Sequence, residues 1–178
     1  MTDPEPGDAP QIMFHFPPPV DNFSGEIKRA GGRLTLAADL SLTGAQGEFE
    51  ADVSSLTMGA PDLDDALQGA TYLFTQQFPT SRFVIAGIES EGRPVRYGEI
   101  TNATMRGEFT MKGVSIPLTV RAEFEPIVAA GGAPRLLLRA AFQIDIKDFN
   151  LVGPDGPVDV KNTLLFDVNL TLKPDTDR

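Results

Sequence analysis

Apolar and polar residues alternate along most of this chain, and short turns rich in glycine and proline interrupt the alternation. The stretch MRGEFTMKGVSIPLTV (residues 105–120) shows this well, since the alternation runs to Lys112-Gly113 and then begins again. Successive side chains of a β-strand point to opposite faces of the sheet, so each such segment has one apolar and one polar face. This pattern is typical of an antiparallel sheet that faces a core on one side.

The same period of two recurs in residues 34–42, 49–53, 105–111, 116–124, 136–146 and 158–172. Together with the turn signals between segments, the pattern predicts about eight strands. Spacing alone leaves open whether they form a sandwich or a closed barrel. The predicted strands at 97–111 and 158–172 are longer than the usual length of about 5–6 residues, which favours the barrel.

The segment PDLDDALQGATYLF (61–74) departs from this period. Asp62 follows a proline in the position of a helix N-cap, and apolar residues from Leu63 to Phe74 recur at helical spacing. The sequence therefore predicts an all-β, extended antiparallel barrel with one short helix that caps an end.

Length and charge limit the classes of function. With 178 residues the chain is long enough for one domain, here predicted over 12–174, after a flexible acidic tail at 1–11. The formal net charge is −10 and the longest basic run is Lys28-Arg29, which argues against a surface for nucleic acid or for an anionic membrane. The N-terminus lacks the basic start and apolar middle of a secretory signal, so the compartment expected is the cytoplasm as written, or the periplasm if an upstream signal was removed.

Few residues could carry chemistry. The chain has one histidine, His15, and no cysteine, so neither a catalytic triad nor a zinc site is predicted. Asp62, Asp64 and Asp65 form an acidic cluster, but the glycine and the distal glutamate of a calcium loop are absent. Capping and dipole compensation at a helix start explain these carboxylates better. No catalytic residue, metal ligand or cofactor is predicted, and the protein is not expected to be an enzyme.

Four blocks of the sequence resemble the YceI-like, polyisoprenoid-binding proteins of bacteria, in the order and spacing typical of that family. They are FSGEIKRAGGRLTL (23–36), DVSSLTMGAPDLDDALQGATYLFTQQFPTSRF (52–83), MRGEFTMKGVSIPLTV (105–120) and FQIDIKDFNL (142–151). The third resembles the family's hairpin through Gly107, Phe109, Gly113, Val114 and Pro117.

The resemblance implies a lipocalin-like barrel whose central tunnel takes an isoprenoid chain, such as a prenyl phosphate or a quinone, without catalysis. It places Leu67, Tyr72 and Phe74 at the capped end of the tunnel. The residues that it implies for the tunnel wall are Leu36, Phe49, Phe83, Phe109, Met111, Leu118, Val120, Phe142, Ile144, Phe166 and Val168.

The sequence departs from the family at positions that bear on the ligand's head group. Leu63 and Ile146 stand where the family usually has arginine, and Lys112 and Asn150 replace a histidine and a glycine. Guanidinium groups hold phosphate through paired hydrogen bonds that aliphatic side chains cannot make. These replacements favour an uncharged lipid over a phosphorylated one.

Three hypotheses follow from the sequence. The first is a non-catalytic carrier of one apolar, isoprenoid-like molecule, with no nucleic acid bound and with the protein as a monomer or a homodimer. The second is an interaction subunit with a filled barrel, whose protein partner binds the Pro-rich N-terminal arm. The third is an enzyme such as an isomerase, which would need an ionisable group in the tunnel; His15, Asp64 and Tyr72 are its candidates.

Overall fold

A computed structural model describes residues 11–17, 24–37, 39–90, 94–151 and 163–174. Within these ranges the chain has one α-helix, α1 (Pro61–Gln68), and ten β-strands, which confirms the predicted all-β class with a single short helix. The strands are β1 (Ile12–His15), β2 (Ser24–Ile27), β3 (Ala30–Thr35), β4 (Gln46–Asp52), β5 (Leu56–Thr57), β6 (Thr80–Ser90), β7 (Thr101–Met111), β8 (Val114–Val128), β9 (Pro134–Asp145) and β10 (Thr163–Leu172).

All ten strands belong to one antiparallel sheet in the order β3-β4-β6-β7-β8-β9-β10-β1-β2-β5. The turn predicted at Lys112-Gly113 joins β7 to β8, and both residues have positive φ, 50° and 75°. Two consecutive residues of positive φ are what a tight hairpin of this twist requires. The apolar faces of β7 and β8 therefore stay on the same side of the sheet.

The sheet curls so that its two ends come close together, although its edge strands β3 and β5 do not pair with each other within the described residues. β2 and β3 lie near opposite ends of the strand order, yet only Lys28 and Arg29 separate them along the chain. β4 and β5 are likewise separated only by a 3-10 turn at Val53–Ser55. The amide of Ala30 in β3 donates to Oε1 of Gln11, beside β1, at 2.8 Å. The segment 24–57 is the seam of the barrel, because it pairs with β1 at one end of the sheet and with β6 at the other.

A bulge in β6 keeps its apolar residues inside. Ile85 pairs with Gly107 and Gly87 pairs with Arg106, so Ala86 is an extra residue. An extra residue reverses the alternation of faces along a strand. Ile85 and Ile88 are both buried although three positions separate them.

The alternation at 34–42 predicts a strand that the structure ends at Thr35. Leu40 lies in a left-handed turn with φ of 61° and is 47% exposed, whereas Leu42 is completely buried. The alternating leucines there therefore lie in a loop, which the buried side chain of Leu42 anchors to the core. The strand expected from residue 97 begins at Thr101, and residues 158–162 of the strand expected at 158–172 lie outside the described ranges.

The helix is shorter than the 61–74 that the pattern predicts, and the predicted N-cap at Asp62 is wrong. The N-cap is Ala60, whose side chain makes no capping bond, and Pro61 begins the helix. Asp62 lies in the first turn, where a carboxylate offsets the helix dipole. Gly69 ends the helix, and Phe74 has a φ of 50° that no helix contains. In the described part of the chain, no helix is long and apolar enough to cross a membrane.

Candidate functional site

The inward faces of the strands surround an apolar cavity of about 80 Å³. Apart from Glu50 and Ser81, every residue of its wall is apolar. The wall consists of Ile12, Ile27, Ala30, Phe49, Glu50, Ala51, Ser81, Phe83, Met105, Phe109, Leu118, Val120, Leu138, Ala140, Phe142, Phe166, Val168 and Leu170. Small-molecule pockets usually measure about 300–1,000 Å³, so this cavity takes only a few carbon atoms unless its wall moves.

A row of phenyl rings lies beside the cavity, and Phe109, Phe142 and Phe166 are the members of the row that line it. The rings of Phe142 and Phe166 stack with centroids 4.9 Å apart and planes 10° from parallel. Phe14 continues the row on one side at 6.2 Å from Phe166, and Phe109 continues it on the other at 5.7 Å from Phe142. Phe149 closes the row against Phe109 in an edge-to-face contact at 5.6 Å.

Eight of the residues predicted for the tunnel wall line this cavity. They are Phe49, Phe83, Phe109, Leu118, Val120, Phe142, Phe166 and Val168. Met111 and Ile144 are buried in the core without lining the cavity, and Leu36 is half-buried against the core. At the capped end Leu67 packs against the core, whereas Tyr72 and Phe74 are half-buried outside both the core cluster and the cavity wall.

The residues that the sequence reasoning missed are mostly small or lie on short strands. Ala103, Ala122 and Ala140 occupy neighbouring positions on β7, β8 and β9 and face inward. Ala140 lines the cavity, and the next residues in this row, Val168 and Ile12, also line it. The alternation around these alanines was visible in the sequence, but only the cross-strand register shows that they form one row of small side chains.

Helix α1 is attached to the barrel mainly through polar contacts, and none of its residues is buried. Oδ2 of Asp64 accepts a hydrogen bond from the hydroxyl of Thr57, and Oδ1 accepts one from the amide of Met58, each at 2.6 Å. Nε2 of Gln68 donates to the carbonyl of Leu56 at 3.2 Å. The hydroxyl of Thr57, followed by the amide of Met58, holds the pKa of the Asp64 carboxyl below its ordinary value. Asp64, one of the residues considered for catalysis, thus fixes the helix to β5.

We expect Asp64→Asn to loosen α1 while leaving the sheet intact, because the neutral amide is a weaker and differently shaped acceptor. Hydrogen exchange followed by mass spectrometry should show severalfold faster exchange at residues 61–68 and unchanged exchange in β7 and β8. Asp65→Asn is the matched control, since the Asp65 side chain is exposed and makes no hydrogen bond within the described residues. Equal exchange in the two variants would contradict this assignment.

The same contact gives a pH dependence. Since the folded-state pKa of Asp64 is lowered, its contribution is complete above the unfolded-state value of about 3.9 and is lost as the pH falls through the lower folded value. Exchange in α1 of the unmodified chain should therefore accelerate in strong acid, relative to Asp64→Asn at the same pH.

A second, larger concavity of about 820 Å³ lies on the outer face, across β6 to β10. Two rows of residues in cross-strand register form its floor: Thr104, Arg121, Ala141 and Asp167 in one, and Asn102, Glu123, Arg139 and Asn169 in the other. Arg139 is paired with Glu125 at 2.9 Å. A polar, charged and open surface of this kind does not favour an apolar ligand, so the interior cavity is the candidate site.

The remaining candidates for chemistry lie apart from the cavity. Nδ1 of His15 is 3.9 Å from a carboxylate oxygen of Asp167, and both side chains are about half exposed. In the parts of the chain that the structure describes, no group of three or more His, Asp or Glu residues could hold a metal ion. Glu50 is the acidic residue of the cavity wall, but it is exposed on β4 and lies on the opposite face from its inward neighbours Phe49 and Ala51.

A family profile described as the YceI-like domain matches residues 8–172. The chain belongs to the YceI-like family. A curated relative, a UPF0312 protein of Pseudomonas putida strain GB-1, is 26% identical over 121 residues, which is 66% of this chain. The chain spans only 56% of the length of that relative.

Several solved structures share the fold of this chain. BcnA of Burkholderia cenocepacia superposes with a TM-score of 0.71 at 18% identity, covering 91% of this chain and 95% of BcnA. The YceI protein of Campylobacter jejuni gives a TM-score of 0.70 at 14% identity, covering 85% of this chain and 84% of that protein. A polyisoprenoid-binding domain from Saccharophagus degradans gives 0.65 at 11% identity, with 92% of each chain covered. These likenesses confirm the lipocalin-like barrel that the family resemblance implied.

Proposed function

We propose that this YceI-like protein binds one apolar, isoprenoid-like molecule inside its barrel and does not transform it. The observation that carries the proposal is the apolar cavity inside the barrel, whose wall includes eight of the predicted tunnel residues. Burial of apolar surface contributes about 25 cal/mol per Å², so a long hydrocarbon chain is the ligand that gains most from such a wall. A solved structure of similar fold is described as a polyisoprenoid-binding domain, which supports the same class of ligand.

The volume of the cavity sets a condition on this function. At about 80 Å³ it is smaller than an isoprenoid chain, so the ligand must displace wall side chains as it enters. The stacked pair of Phe142 and Phe166 borders this space and is not tied by polar contacts, so its rings can separate without breaking a hydrogen bond. Binding then couples two changes. The wall opens, and the hydrocarbon chain of the ligand replaces the contact between the two rings.

The head group of the ligand is proposed to be uncharged. Leu63 is 37% exposed on α1, and Ile146 packs partly buried against the core. Neither side chain can donate a hydrogen bond to a phosphate. Within the described residues, Lys112 is a cation close to the capped end, and its Nζ donates to the carbonyl of Asn150 at 3.1 Å.

Native mass spectrometry with geranylgeraniol and geranylgeranyl diphosphate tests the proposal. We expect the alcohol to bind at least as well as the diphosphate, and Leu118→Glu to abolish the adduct because it puts a carboxylate on the cavity wall. Thr119→Glu is the matched control, since Thr119 is exposed on the other face of the same strand. Much tighter binding of the diphosphate would contradict the uncharged head group, and no adduct with either compound would contradict the carrier function.

The second candidate is an interaction subunit with a filled barrel, and the small volume of the cavity favours it. It predicts that no apolar species is extracted from freshly purified protein and that neither isoprenoid binds. It also predicts a stable protein partner that is lost when residues 1–10, which precede β1, are removed.

A further inference from the structure

Exposed apolar side chains concentrate at the end of the barrel opposite α1. Six large apolar residues are exposed in the described part of the chain, and four of them lie at this end. They are Leu40 (47% exposed), Tyr97 (58%), Ile100 (54%) and Val128 (61%), and together they form the rim patch. Exposed apolar groups scattered singly need no explanation, but a cluster at one edge marks an interaction surface.

Backbone contacts bring the segments that carry these four residues to one corner of the barrel. The amide of Gly98 donates to the carbonyl of Pro126 at 3.4 Å, so residues 97–100 run along the end of β8, where Val128 lies. The amide of Val95 donates to the carbonyl of Leu40 at 3.1 Å, which brings the connection between β3 and β4 to the same corner. Leu40 has a φ of 61°, a conformation that a leucine rarely adopts, and its neighbour Leu42 is completely buried. The loop thus exposes the side chain of Leu40 to solvent, whereas it buries the side chain of Leu42, two residues further along the chain.

The charges around the rim patch differ from those of the whole chain. The described charged residues beside it are Arg96, Arg135, Lys173, Asp39 and Glu99, three basic and two acidic. The whole chain carries a formal net charge of −10. A strongly acidic protein is repelled by an anionic membrane, whereas the described charges at this end nearly cancel, which permits an approach to a surface of neutral head groups.

We propose that the rim patch docks on a phospholipid bilayer with zwitterionic head groups. Tyrosine with aliphatic neighbours is the composition that proteins place at the boundary between head groups and acyl chains. Val128 has the same strand parity as Phe124, which faces the core, so the inward apolar face of β8 continues into the patch. The inference rests on the proposed function, since a membrane surface is where an apolar ligand would be collected or released.

A single tryptophan reports on docking, because the chain contains none. Tyr97→Trp should give an emission that shifts to shorter wavelength when phosphatidylcholine vesicles are added and that brominated lipids quench. Val84→Trp is the matched control: Val84 is 38% exposed on the outer face of β6, away from the patch, and its emission should not change. In the Tyr97→Trp background, Leu40→Ser with Val128→Ser should abolish the shift and the co-flotation with vesicles.

The result that overturns the inference is an unchanged emission of Tyr97→Trp on addition of vesicles, or an equal shift of Val84→Trp. A shift of Tyr97→Trp that depends on protein concentration without vesicles, with dimers on a sizing column, would also overturn it in favour of self-association. The serine variants should keep their geranylgeraniol adduct in native mass spectrometry, since neither residue lines the cavity. Loss of docking with the adduct retained separates this inference from the proposed function.

Discussion

Phe142→Ala is expected to lower the stability of the protein and to improve its binding of apolar molecules. Phe142 borders the cavity and stacks on Phe166 at 4.9 Å, so its truncation costs about 3 kcal/mol, the low end of the range for phenylalanine in a core, because the residue is half-buried. The lost ring leaves roughly 100 Å³ of additional apolar space, which is the size of void that binds small apolar molecules. A ligand that enters this space replaces contacts that the mutation removed.

The measurement is urea unfolding with and without geranylgeraniol. A ligand at one hundred times its Kd stabilises the native state by about 2.7 kcal/mol, so most of the loss in Phe142→Ala should be recovered. Phe124→Ala is the matched control, because Phe124 is completely buried and does not line the cavity. This variant should lose about 3–5 kcal/mol of unfolding free energy. Geranylgeraniol should stabilise it no more than it stabilises the unmodified chain. Equal recovery in the two variants would show that the space left by the Phe142 ring does not strengthen binding of the ligand.

Gly107→Ala is expected to destabilise the protein, whereas the same chemical change at Gly87 is not. A Cβ at Gly107 would overlap the carbonyl oxygen of Val84 and lie 2.9 Å from two atoms of the Phe83 ring. The obstacle is partly backbone of the neighbouring strand, so β6 and β7 must move apart. The cost should be about 3 kcal/mol, at the upper end of ordinary overpacking. Because Phe83 lines the cavity, the shift should also change ligand binding.

Gly87→Ala provides the comparison within the same pair of strands. No heavy atom lies within 4 Å of a Cβ placed there, and its φ is outside the left-handed range. Alanine reduces the freedom of the unfolded chain, so this variant should be stabilised by about 0.4–1 kcal/mol. Thermal and urea unfolding of both variants provide the test, and a similar loss in each would refute the steric explanation for Gly107.

Alternation in the sequence predicts faces well and predicts strand ends poorly. The hairpin at Lys112-Gly113 could be predicted because the turn residues and the two apolar faces agree. The bulge at Ala86 could not, since an extra residue is defined only by the partner strand. Leu40 and Leu42 continue a leucine period beyond the end of β3, and only the backbone shows that one is exposed and the other buried.

The candidate site was predictable to the extent that it depends on strand parity. Phe109, Leu118 and Phe166 line the cavity because they lie on the inward face of regular strands. Tyr72 and Phe74 belong to the turns after α1. The spacing of apolar residues predicts a helix there, but the helix ends at Gln68 and Phe74 has a positive φ. The volume of the cavity depends on how rings from distant strands meet, as Phe14, Phe142 and Phe166 do, and no local pattern contains that information.

The seam of the barrel, residues 24–57, contains the short strands β2 and β5, and β2 pairs with a third short strand, β1. β1 and β2 have four residues each and β5 has two, whereas β8 has fifteen. Short ladders open at a lower free energy than long ones, so spontaneous breathing of the wall should begin along this line. A ligand wider than the cavity would then enter through the side of the barrel, where these short strands separate, while β7 and β8 remain paired.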